Sequence, residues 1–219
     1  MGKSFTQEYF LCSLNPKGAA ELVNSDEGAA ILFASAILEL QFAGIIELDN
    51  KKRFVVGKDL PPQLNYLQPV YNFIRDNKPK TIESLGEDFY FNDKLPKALF
   101  TSVGASLVQL GDASEKHNQG LFKNKTYILP EEKMIIAIIE KIRAELLEDG
   151  KITDEVVILS ALLEKNSLIR KYFSKYERDV IKQRLKEIRK SDSYQLITKL
   201  LDGMDSWIAI FTTTFITMN

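Results

Sequence analysis

A single cysteine, Cys12, stands among the 219 residues, which excludes an internal disulfide and points to a reducing compartment. Histidine is just as scarce. His117 is the only one, it has no cysteine near it, and a lone loop histidine is a solvated residue far more often than a metal ligand. Neither sign of charge is in excess. Lys and Arg total 29 against 30 Asp and Glu, so the net charge is −1 and no overall field draws the chain to nucleic acid or to an anionic membrane. Any such binding has to come from a local patch.

Long apolar runs are also missing. A membrane span needs ~20 apolar residues, and the greasiest stretch is interrupted by Glu39. The start, MGKSFTQEYFLC, lacks the apolar core of a secretory signal and does not fit the myristoylation pattern, so a cytoplasmic protein is expected. No glycine loop of the phosphate-cradling kind is present. Ser102, Ser106 and Ser160 sit in helical stripes, without a Gly-x-Ser-x-Gly setting. Cys12 lies beside Phe10 and Leu11 and reads as a small buried hydrophobe. The carboxylate pairs Glu131-Glu132 and Asp154-Glu155 are accounted for by helix starts. No catalytic residue, metal site or cofactor is predicted, and the chain reads as a non-enzyme.

What is present is an ordinary globular composition, 45% hydrophobic and 27% charged, in a chain long enough to bury a full core. The organising stretch is Ser25 to Gly44. Ser25 and Asp26 suit a helix start, and Gly44 suits a left-handed terminator. Ala29 to Leu38 carries no charge, so this helix is predicted to be surrounded by protein. Ahead of it, Thr6 is expected to cap a short helix carrying Tyr9, Phe10, Leu11 and Leu14, and Asn15 to Gly18 reads as a turn.

Ile45 to Leu48 and Arg53 to Val56 are β-rich runs joined by a polar connector, a short hairpin. Helical spacing follows at Leu64, Leu67, Val70, Tyr71 and Ile74, with a possible kink at Pro69. Thr81 is expected to cap a segment burying Ile82 and Leu85. Leu95, Leu99, Val103 and Leu107 form one stripe, stopped by Gly111. Ala113 to Leu129 is polar and reads as a loop or hairpin projecting from a helical body. Pro130 is expected to open a strong helix with ridges at Met134, Ile138, Ile142, Leu146 and at Ile135, Ile139, Leu147, closed by Gly150. Thr153 caps the next helix, and Ser174 with Glu177 forms a capping box for another. Leu196 to Leu201 and Trp207 to Met218 read as final helical pieces. The whole is a mainly α single domain, residues 1–219, with short β-hairpins around a buried central helix.

Two surface features invite partners. Lys165 to Lys190 holds ten Lys or Arg; a solvated helix face explains them, and a docking face for phosphate groups is the sharper reading. The helix and hairpin around Ile45 to Val56 have the local shape of a winged helix, with Lys51, Lys52 and Arg53 on the wing. The alternative function is therefore a winged-helix-like nucleic-acid-binding regulator. The apolar helix and the net charge stand against it, and no nucleic acid partner is expected.

Three stretches, EYFLCSLNPKG, AAILFASAILELQFAGIIEL and LVQLGDASEKHNQGLFKNKTYILP, together resemble the Golgi phosphoprotein 3 family in order and spacing, its bacterial members in particular. The resemblance implies one mostly helical domain and a peripheral membrane adaptor that is not an enzyme. It implies self-association through the projecting hairpin, here with Ser114, His117, Leu121, Phe122 and Tyr127. Eukaryotic members bind phosphatidylinositol 4-phosphate and hold the cytoplasmic tails of Golgi glycosyltransferases. Their headgroup positions fall at Asn24, Phe33, Lys97 and Phe100, of which only Lys97 is cationic. The implied partners are an anionic phospholipid headgroup or membrane surface, a protein client and a second copy of the chain.

Overall fold

The first helix is set by a capping box that begins at Ser4. The Gln7 N–H donates to Ser4 Oγ and the Ser4 N–H donates to Gln7 Oε1, both at 3.3 Å. Thr6, the expected cap, is instead buried inside helix α1 (Phe5–Ser13). The computed structural model describes residues 3–14, 26–92, 94–120, 123–148 and 150–191, with Thr198, Asp202, Ser206 and Ala209. The expected turn at Asn15 to Gly18 lies outside the described residues, as does nearly all of the two C-terminal pieces.

Helix α2 (Asp26–Phe42) is buried without a break from Ala30 to Leu40, in keeping with the uncharged run Ala29 to Leu38. Ile31 and Phe33 are fully buried and Leu38 is 6% exposed. The helix ends in a Schellman motif. The Ile45 N–H reaches the Leu40 carbonyl and the Gly44 N–H reaches the Gln41 carbonyl, with Gly44 at φ +66°. Strands β1 (Ile46–Leu48) and β2 (Phe54–Val56) then pair antiparallel. A 3₁₀ turn at Pro62–Leu67 leads into α3 (Gln68–Asp76), so Pro69 lies in a first turn, where a proline costs no hydrogen bond. Next come α4 (Ile82–Tyr90) and α5 (Lys94–Gln109), which buries Leu95, Leu99, Val103 and Leu107. Gly111, at φ +74°, closes α5 with a second Schellman motif.

Strands β3 (Ala113–Gly120) and β4 (Lys123–Pro130) form the second hairpin. Pro130 is the last residue of β4, paired with Ala113, and does not open the following helix; Glu131 holds the N-cap position of α6 (Glu132–Leu146). That helix also stops before Gly150, where a Cβ would sit 2.9 Å from the Ala144 carbonyl oxygen. Helix α7 (Asp154–Lys165) starts at Thr153, whose N–H and hydroxyl both donate to Glu145 at 2.7 Å. The short α8 (Ile169–Tyr172) precedes α9 (Lys175–Lys190), which begins with the predicted Ser174–Glu177 box.

The fold is mainly helical, and its centre is three mutually packed helices, not one. Helices α1, α2 and α7 touch one another, α7 is buried at every residue from Val156 to Leu163, and α1 also packs on α5 and α6. Fully burying a Leu, Ile or Phe side chain contributes about 1.5–3 kcal/mol, so this triad dominates the core.

Candidate functional site

The polar groups best placed for chemistry are sealed inside this core. On α1, Glu8 is 5% exposed and accepts two hydrogen bonds of 2.6 Å from Lys141 Nζ on α6. Burial raises its pKa, against the pull of that ammonium. On α2, Glu39 accepts from the Tyr66 hydroxyl and is pushed above the usual carboxylate range by burial. The Thr6 hydroxyl and Glu39 Oε2 influence each other but have no hydrogen bond of ordinary geometry. The buried Cys12 thiol is raised to about 12, by burial first and the Glu8 carboxylate second, so it is not a nucleophile at neutral pH. Gln7 donates to Ser106 Oγ at 3.0 Å and Ser106 to the Val103 carbonyl, which leaves that hydroxyl structural. Among the described residues no three His, Cys, Asp or Glu are grouped to hold a metal ion.

The surface offers more. Hairpin β3–β4 leaves the body from a buried base. Ala113 and Ile128 are buried, and Ile128 lies over Gly104 of α5, 3.0 Å from where a Cβ there would stand. Lys3 pairs with Asp112 at 3.2 Å, and the Glu131 N–H donates to the Asp112 carbonyl, so both ends of the hairpin are pinned. Ser114, Glu115 and Lys116 are then exposed. Tyr127 is half-buried opposite Lys116 and His117 pairs with Thr126 in register. Leu121 and Phe122 lie outside the described residues.

Three of the four headgroup positions lie among the described residues. Phe33 is fully buried, stacked on Phe89 at 4.2 Å between ring centroids, and presents no surface to a ligand. Phe100 packs its ring on Phe10 at 4.9 Å. Asn24 lies outside the described residues. Lys97 is exposed on α5, and Lys94, exposed one turn earlier, is a second cation on that face. The i, i+3 spacing in the sequence was its available signal. Phe91, at the end of α4, is 68% exposed nearby in the chain.

A groove of about 560 Å³ runs between α6 and α8, floored by Ile135, Ile136 and Ile139 and edged by Arg143, Lys171 and Tyr172. Its arginine is engaged: Arg143 donates to Glu177 at 2.8 Å, to Glu140 at 2.7 Å and to the Tyr172 carbonyl at 3.2 Å. Glu177 is held at about 2, first by Arg143 and then by the Ser174 backbone. At the first hairpin, Lys51 and Lys52 are exposed, but α2 ahead of them has no free face from Ala30 to Leu40 with which to read a nucleic-acid groove.

Most of the basic run belongs to α9, where arginines and lysines separate. Arg178 donates to the Phe173 carbonyl at 2.8 Å, Arg184 meets Glu187 at 3.8 Å and Arg189 meets Asp202 at 3.5 Å. Lys175, Lys182, Lys186 and Lys190 are exposed. Among the described residues, no helix is long and apolar enough to cross a membrane. The profile of the family described as Golgi phosphoprotein 3 (GPP34) matches residues 6–207. No curated protein matches the chain.

Proposed function

The chain belongs to the Golgi phosphoprotein 3 family, and from that membership we propose a non-enzymatic peripheral protein. It meets an anionic phospholipid surface, holds a protein client and self-associates through β3–β4. The observation that carries this reading is the family match, which extends over residues 6–207 and so includes the whole hairpin and the core that anchors it. The sealed carboxylates and the unreactive Cys12 favour a role played out on the surface.

Selective binding of phosphatidylinositol 4-phosphate is not part of the proposal. A phosphomonoester carries close to two negative charges and is held by several converging, preferably bidentate, cations. Lys97 is the single cation among the four counterpart positions.

Two measurements test the reading. In flotation, the full chain is expected to bind phosphatidylcholine vesicles containing phosphatidylglycerol and to show no large preference for phosphatidylinositol 4-phosphate. Binding to neither removes the membrane role. In sedimentation, deletion of Ser114 to Asn124 is expected to lower the oligomeric mass. An unchanged mass removes the hairpin from the account.

A further inference from the structure

The lysines of α9 stand at 175, 182, 186 and 190. Steps of seven, four and four residues keep all four within about 80° of arc on a helix of 3.6 residues per turn. They form one row about 22 Å long, at 1.5 Å per residue. All four are exposed, and the opposite face buries Ile181, Leu185 and Ile188 against the body. Tyr176, beside the first lysine, is 77% exposed. Asp179 lies within the row as its countercharge, and Glu164 meets Lys182 at 3.2 Å. Lys175, Lys186 and Lys190 make no ion pair among the described residues.

We propose that this lysine row is the surface that lies against an anionic lipid bilayer, separately from the Lys97 face. The inference rests on the peripheral membrane reading above. Residue type and shape favour a bilayer over a nucleic acid. Each arginine of the helix, the side chain that forks onto a single phosphate or a guanine edge, is turned to a protein partner. The side chains left to solvent are compact point charges on long stems, which suit a diffuse plane of negative charge. A straight row on a convex helix meets a plane along its whole length without a pocket. The exposed Tyr176 ring at its end suits the headgroup layer, where aromatic side chains with one polar tip concentrate.

The test is flotation of the full chain on vesicles of phosphatidylcholine with phosphatidylglycerol. It compares wild type, the quadruple variant Lys175→Gln, Lys182→Gln, Lys186→Gln, Lys190→Gln, and Lys97→Gln. All five positions are exposed, and a thermal melt of each variant checks that it folds. The row variant is expected to lose on the order of a thousandfold in partitioning, and Lys97→Gln less than about tenfold, from the contribution of each near-surface cation. Wild-type binding is expected to weaken steeply with salt.

If the row variant floats like wild type while Lys97→Gln is lost, the row is overturned and the membrane reading stands. If wild type floats on no vesicle, both fall. Row-dependent retention of duplex DNA, with no vesicle binding, assigns the surface to nucleic acid and also overturns the proposal.

Discussion

Glu39 Oε2 and Thr6 Oγ1 are both sealed from water without a hydrogen bond, while Tyr66 donates to Glu39 Oε1. A neutral Glu39 carboxyl fits these facts better than an ionised one, because it leaves no buried charge to solvate. Burial raises the Glu39 pKa, so its stabilising contribution is complete below the ordinary glutamate range and is lost as pH rises through the elevated folded value. Glu39→Gln is neutral at every pH. Its stability relative to wild type, read from urea midpoints, is therefore expected to grow as pH rises from the acid side. A gap that shrinks with rising pH contradicts the assignment. The sequence exposed Glu39 as the one acid beyond the first turn of an apolar helix, but its neighbours Tyr66 and Thr6 come from two other elements and carry no local signature. The same holds for Glu8 and Gln7 on α1. Their partners Lys141 and Ser106 lie about a hundred residues or more away, so nothing local marks the polar side of α1 as buried from Phe5 to Cys12.

The hairpin β3–β4 depends on a close approach at its root. A Cβ at Gly104 would meet Ile128 Cγ1 at 3.0 Å and Cδ1 at 3.3 Å. Gly104→Ala gains about 1 kcal/mol of helix propensity and meets an overpacking cost of about 1–3 kcal/mol. A net loss of up to ~2 kcal/mol is expected in chemical denaturation. Ile128→Val in the same chain is expected to recover part of it, and no coupling between the two changes contradicts the contact. Elements whose signals are local were readable: the charge-free run Ala29 to Leu38 of α2, the Leu95 to Leu107 stripe, the glycine terminators and the Ser174 box. Ser4-Phe5-Thr6-Gln7 carries that same box and was open to the same reading; Thr6 lost the cap because Gln7 has no equivalent three residues beyond it. Pro130 fits a first helical turn equally well, and only pairing with Ala113, seventeen positions earlier, assigns it to a strand.

At the scale of the whole molecule, among the described residues, Glu8, Glu39 and Cys12 are buried while the lysines of α9 are exposed. The core triad α1, α2 and α7 was legible as a central helix but not as a triad, because mutual packing of distant helices leaves no mark in any one of them. The family was legible from order and spacing. Positions carried over by resemblance give no burial, and that Phe33 is fully buried needed coordinates. The row on α9 was visible as a basic run; its sorting into engaged arginines and exposed lysines, of which Lys182 meets Glu164, needed coordinates.

Because Cys12 is buried and its thiol raised to about 12, an introduced surface cysteine is the one that takes a label at neutral pH. An environment-sensitive dye at Gln183→Cys, among the α9 lysines, is compared with the same dye at Ala98→Cys, beside Lys97; both positions are exposed. On mixing with phosphatidylglycerol-containing vesicles, emission from the first is expected to shift to the blue and return with added salt, while the second stays unchanged. A shift at Ala98 with silence at Gln183, or silence at both, contradicts the account.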